Sequence, residues 1–150
     1  MSKKTSLLLV FLCMLFIFIM SSMSGNISNK MSKQILTGII NNQEVSNSTR
    51  LFNNAHYIFR KASHFFEYFI LAILLVNYLK HFKRSKYFDF VICVFLCFLY
   101  SVTDEVHQMF VANRTPMFKD CLIDTSGAVV GCLIFFFFSS IFKRKKRINY

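Results

Sequence analysis

Four of the chain's seven carboxylates, Asp104, Glu105, Asp120 and Asp124, fall within one short stretch, TDEVHQMFVANRTPMFKDCLIDTSGAVVG. Acids gathered this closely act as general acids or bases, as oxygen ligands for a divalent cation, or as partners for buried cations. A second group precedes them in RKASHFFEYFILAILL, where Arg60, His64, Glu67 and Leu71 are separated by four, three and four positions. That spacing sets all of them on one face of a helix.

Two further spacings tie acids to packing. Asp104 stands four residues before Gln108 and Glu105 three before it, so either acid can share a helical face with the amide. Asp120, Asp124, Gly127 and Gly131 repeat the four, three, four pattern, and one face therefore runs from carboxylates into a GxxxG surface. Glycines four apart let a second helix approach closely in lipid, which would hold the acids one and two turns above against that same neighbour.

The elements that must position these groups are greasy. Of the 150 residues, 55% are hydrophobic and 17% aromatic, with 20 Phe, and the mean hydropathy is +0.46. A soluble domain of this size could not bury that much apolar surface, so the bilayer is the expected solvent. Four apolar segments stand out, at about 6–23, 62–79, 87–103 and 121–142, each near the length of a spanning helix. The expected fold is all-α: a single polytopic membrane domain over 1–150, with four transmembrane helices and both termini cytoplasmic. Lys3 and Lys4 before the first segment and serines after it also fit a signal peptide, so its retention as a span stays open.

Orientation follows from Lys and Arg. Eleven of the 18 fall on the side of the termini, accompanied by Asp89 alone, for a net +10. The other seven share the opposite side with six carboxylates, for a net +1. The positive-inside tendency makes the first side cytoplasmic. The formal charge of +11 is thus a topology signal with attraction to anionic lipid, and neither it nor the KRKKR tail calls for nucleic acid.

Five cysteines, at 13, 93, 97, 121 and 132, form no CxxC pair and are expected to be free thiols within apolar surroundings. Residues 24–59, rich in Asn and Ser, are expected to be an outer loop with one short interfacial helix around Ile35 to Ile40.

Three helix ends then deliver Arg60, Lys61, His64, Glu67, Asp104, Glu105, Gln108, Arg114, Asp120 and Asp124 to one leaflet. Two readings stay open: a salt-bridge network that pins short helices together, and a polar site opening to the outer face. No cofactor is expected, although His64, Glu67, Asp104 and Asp120, with Asp124, are candidate ligands for a divalent metal. No HExxH or GxSxG motif and no committed nucleophile is present.

These two stretches together closely resemble the VanZ-like membrane protein family. The pattern is a Lys followed by HxxEY, then DExxQxF, an Arg in the connection, and DxxxNxxGxxxG entering the last span. It falls on Lys61, His64, Glu67, Tyr68, Asp104, Glu105, Gln108, Phe110, Arg114, Asp120, Asp124, Gly127 and Gly131, across about residues 57–135. Asp124 departs from it, since the family often has Asn there. The resemblance implies a multi-pass protein of the bacterial cytoplasmic membrane, linked to resistance against teicoplanin-type glycopeptide antibiotics. The expected partners are membrane lipids, with a lipophilic glycopeptide or a lipid-linked cell-wall intermediate as ligand. Three roles remain: binding or displacing such an amphiphile, enzymatic modification of a lipid headgroup, or a scaffold. Four short spans give little pore without oligomerisation.

Overall fold

The computed structural model describes residues 2–24, 30–31, 34–35, 49–114 and 117–148, with backbone alone for 49–56 and 142–148. Four long helices run through it: α1 (Lys3–Ser22), α2 (Thr49–Leu79), α3 (Lys86–Gln108) and α4 (Phe118–Ile148). A 3-10 turn over Lys80–Phe82 closes α2. Each helix contains a stretch long and apolar enough to cross a membrane, at Lys3–Ser22, Tyr57–Phe82, Lys86–Gln108 and Phe118–Ile141. Among the described residues the protein is an all-helical bundle of four such helices.

Caps fix where two helices begin. Ser2 Oγ accepts from the Thr5 N–H at 3.1 Å and Ser85 Oγ accepts from the Phe88 N–H at 3.2 Å, each satisfying a donor left orphaned in the first turn. The left-handed conformation of Lys83, φ 54°, ends the 3-10 turn.

Three helices outrun the apolar segments that announce them. α2 starts at Thr49, within the expected outer loop 24–59, and neither Gly nor Pro interrupts 49–79. α3 carries on through Asp104 and Glu105 to Gln108, and α4 extends on its far side through the KRKKR run. Hydropathy marks the greasy core of each helix, whereas propensity carries the backbone further. Of the expected interfacial helix, Ile35 is helical and 36–40 lie outside the described residues.

α2 is the hub, packing most extensively on α4 and touching α1 and α3 as well. Its inward face, Tyr68, Leu71, Ala72, Leu75, Val76 and Leu79, is buried against Cys93 and Cys97 of α3 and Ala128 and Cys132 of α4. All five cysteines are free, and Cys13 alone is not fully buried. At Gly127 an added Cβ would collide with the Phe65 carbonyl oxygen, and at Gly131 it would lie 2.5 Å from that of Phe69. The α2 and α4 backbones therefore touch at the two glycines, and these contacts set the height at which the polar ends of both helices meet.

The polar ties sort to two ends. At the end bearing the N-terminus, Ser6 Oγ lies 3.3 Å from His81 Nε2 and accepts from Asn77 Nδ2 at 3.3 Å, while Lys80 and Lys86 donate to Ser139 and Ser140 of α4. The other end holds the end of α1, the N-terminal turns of α2, the end of α3 and the start of α4.

Candidate functional site

At that second end the described polar residues separate into three arrangements. The first is structural: Lys61 of α2 forms a buried salt bridge with Asp120 in the first turn of α4, and its ammonium stands 5.2 Å above the Tyr57 ring. Beside it, Glu105 Oε2 accepts from the Met117 N–H at 2.9 Å, fixing the chain as it enters α4. Both acids have a dedicated partner within the fold.

The second arrangement lies between the helices. Asp104 Oδ2 accepts from Gln108 Nε2 at 2.9 Å, and the same amide donates to Ser21 Oγ of α1 at 2.7 Å. Ser101 Oγ donates to Asp124 Oδ2 at 2.6 Å. Among the described residues Tyr68 OH, Asp104 Oδ1 and Asp124 Oδ1 are buried without a hydrogen-bond partner. The GxxxG contact brings Asp124 to this position, and the four-residue spacing aligns Asp104 with Gln108.

The third arrangement is a cavity of about 320 Å³ lined by α1, α2 and, from between them, Met31 and Ile35. Arg60, His64 and Glu67 line it along one face of α2, and Arg114 reaches it from the connection between α3 and α4. Phe16, Met20, Phe59, Phe66 and Ile70 supply its apolar wall. His64 Nδ1 and Glu67 Oε2 stand 3.6 Å apart, beyond hydrogen-bond reach, and both atoms are buried without a hydrogen-bond partner among the described residues.

Arg114 is held from behind. Its Nε and a terminal nitrogen each donate at 3.3 Å, to the carbonyls of Met23 and Met20, so the guanidinium caps the C-terminal turn of α1. Burial lowers its pKa from the ordinary arginine value, and the nearby charge of Arg60 adds to the lowering, against Asp104, Glu105 and Glu67, which raise it. Neither Arg60 nor Arg114 forms an ion pair with a carboxylate among the described residues.

These positions lie inside a match to a known family: the VanZ/LLP1 family model covers residues 6–139 of the chain. The chain belongs to the VanZ/LLP1 family. It is a multi-pass VanZ-family membrane protein, and the matched region contains both the cavity and the acid cluster. No curated protein and no solved structure matches it.

Within this VanZ-family fold the expected metal ligands are dispersed. Asp120 is committed to Lys61, while Asp104 is hydrogen-bonded to Gln108 and His64 Nδ1 stands 3.6 Å from Glu67 Oε2. Among the described residues no three His, Cys, Asp or Glu side chains form a group that could hold a metal ion. His107 lies against Phe18, with ring centroids 4.6 Å apart, and its Nε2 is 3.0 Å from Ser22 Oγ. Phe110 is largely exposed just beyond α3.

Several participants carry no charge and escaped attention in the sequence. Ser21 and Ser101 are buried hydrogen-bonding partners of the cluster, and Ser101 lies one turn before Asp104, a polar residue inside an apolar run that could have signalled its role. The Met20 and Met23 carbonyls are backbone groups, invisible to any reading by residue type.

Proposed function

We propose that this VanZ-family protein receives a membrane amphiphile in the cavity lined by α1 and α2, and through that site lowers susceptibility to teicoplanin-type glycopeptides. One observation carries the reading: two arginines without carboxylate partners among the described residues overlook a cavity whose remaining wall is largely apolar. Cations near the headgroup region attract anionic groups, and apolar walls accept a hydrocarbon chain. The Lys and Arg distribution supports an outward-facing mouth, the side on which a lipid-anchored antibiotic or a cell-wall lipid intermediate is met.

The test is antibiotic susceptibility of isogenic cells carrying the wild-type gene, a deletion, Arg60→Gln or Glu67→Leu at matched membrane levels. Deletion and both variants should raise sensitivity to teicoplanin and leave sensitivity to a glycopeptide without a lipid tail nearly unchanged. Equal teicoplanin sensitivity in all four strains would sink the reading.

The Glu67 carboxyl oxygen beside His64, without a hydrogen-bond partner among the described residues, favours a second possibility, proton transfer to or from a bound headgroup. A lipid comparison of the same strains separates the two. A lipid species that accumulates on deletion and with Glu67→Leu speaks for turnover, whereas unchanged lipids leave binding.

A further inference from the structure

Three features of the cavity narrow what it accepts, building on the reading that it binds an amphiphile. The first is the order of groups with depth. Arg60 and Arg114 mark the outer rim, and Glu67 lies two turns further along α2, about 10 Å at the rise of a helix, with Ile70 one turn beyond. The second is the free acceptor: Glu67 Oε2 is buried with no donor among the described residues. The third is an accessible apolar wall: Phe16 of α1 and Phe66 and Ile70 of α2 line the cavity and are 54%, 58% and 50% exposed, and Met31 and Ile35 from between α1 and α2 join them.

A ligand that matches this order carries an anion outermost, a hydrogen-bond donor just below it, and a hydrocarbon chain below that. Two-chain phospholipids fail at the middle position, since both glycerol hydroxyls near the chains are esterified and an ethanolamine ammonium lies outside the phosphate. A polyprenyl phosphate has no donor below its phosphate either. A lysophospholipid has the free glycerol hydroxyl in the right place. At about 320 Å³ the cavity stands at the small end of the ~300–1,000 Å³ typical of ligand sites. That volume suits a glycerophosphate and the first part of one chain, with the remainder lying along the apolar wall.

We infer that the cavity takes a single-chain phospholipid, with its phosphate on Arg60 and Arg114, its free hydroxyl on Glu67 and its chain against Phe16, Phe66 and Ile70. Arg114 is also occupied with the carbonyls of α1, so Arg60 is the cleaner probe of the phosphate contact.

The experiment is a native mass spectrometry titration of the full chain in detergent, using 1-palmitoyl-lysophosphatidylglycerol, its 2-O-methyl analogue, dipalmitoyl-phosphatidylglycerol and undecaprenyl phosphate. The lysolipid should bind ~10-fold more tightly than the other three, the worth of a hydrogen bond to a charged acceptor. Glu67→Leu should erase its advantage over the methyl analogue, and Arg60→Gln should weaken all four ligands by ~10-fold. Ile70→Trp, which fills the chain position without touching a charge, should block binding while the fold, followed by circular dichroism, is kept. Equal affinity for the lysolipid and its methyl analogue, or wild-type affinity in Arg60→Gln, overturns the inference. If the two-chain lipid or undecaprenyl phosphate binds in an Ile70→Trp-sensitive way without preference for the lysolipid, only the inference fails. If none of these amphiphiles binds, the proposed function fails with it.

Discussion

Ser101 Oγ donates a 2.6 Å hydrogen bond to Asp124 Oδ2 across the contact between α3 and α4, with Asp124 only 1% exposed. The acid is placed there by packing: Gly127 and Gly131 on the same helical face press α4 against α2, and Asp124 one turn before them has no route to water. Ser101 provides its hydrogen bond within the fold, and no cation pairs with it among the described residues.

A neutral amide should serve that bond as well as the acid. Asp124→Asn keeps an oxygen for Ser101 and removes a charge that is costly in a bilayer, so its thermal midpoint in detergent should equal or exceed that of the wild type. Asp124→Leu removes the acceptor and should cost about 1–3 kcal/mol, read from the same melts. A leucine variant as stable as the asparagine variant would show that the hydrogen bond contributes nothing.

The Lys61 and Asp120 pair makes a different prediction, because both partners are buried and charged. Breaking such a pair from one side leaves a lone charge, which costs about 3–5 kcal/mol, whereas replacing both with apolar side chains is often close to neutral. Lys61→Met and Asp120→Leu should therefore each unfold at much lower denaturant, and the double variant should recover most of the loss. If the double variant were as unstable as the worse single one, the pair would have a role beyond neutralising itself.

The four spans and the acid cluster were legible because hydropathy and helical spacing are both written in residue type. The four, three, four intervals aligned Arg60, His64 and Glu67 along one wall and led from Asp124 into the glycine contact. What spacing could not do was sort the cations. Lys61 and Arg60 are adjacent in sequence, but a step of one residue turns the side chain by about 100° on a helix, sending Lys61 to Asp120 of α4 and Arg60 to the cavity beside α1. The role of α1 was equally hidden, since it enters the site through Phe16, Ser21 and backbone carbonyls, none of which announces itself by charge.

The glycine contact predicts an order of severity. A Cβ at Gly127 meets the Phe65 carbonyl more closely than one at Gly131 meets that of Phe69, and in both cases the obstacle is backbone, which cannot turn aside. Gly127→Ala should destabilise more than Gly131→Ala, with losses of about 1–3 kcal/mol as in other overpacked interiors. Because the same helix carries Asp120 and Asp124, the alanine variants should also disturb the Lys61 and Ser101 contacts. Denaturant titration in detergent gives the order, and a reversed order would contradict the close approach at Gly127.

Arg114 joins the cavity to the end of α1 through the carbonyls of Met20 and Met23, so its removal should loosen that helix end before it affects the rest of the bundle. Gln108 to Ser21 and His107 to Ser22 still fasten α1 to α3, which limits the damage to the last turn. Hydrogen bonds from a charged donor are each worth about 1.5–3 kcal/mol, so Arg114→Gln should raise maleimide labelling of a Met23→Cys probe ~10-fold in membrane vesicles, above the background of the unsubstituted protein. Arg114→Lys keeps the charge but lacks the forked donors, and it should label nearly as fast. Thermal melts of both should stay close to the wild type, since the core formed by α2, α3 and α4 makes no contact with this guanidinium through the bonds it donates. Labelling at the wild-type rate in both variants would mean that the two serine contacts alone hold the end of α1, leaving Arg114 to act only on what enters the cavity.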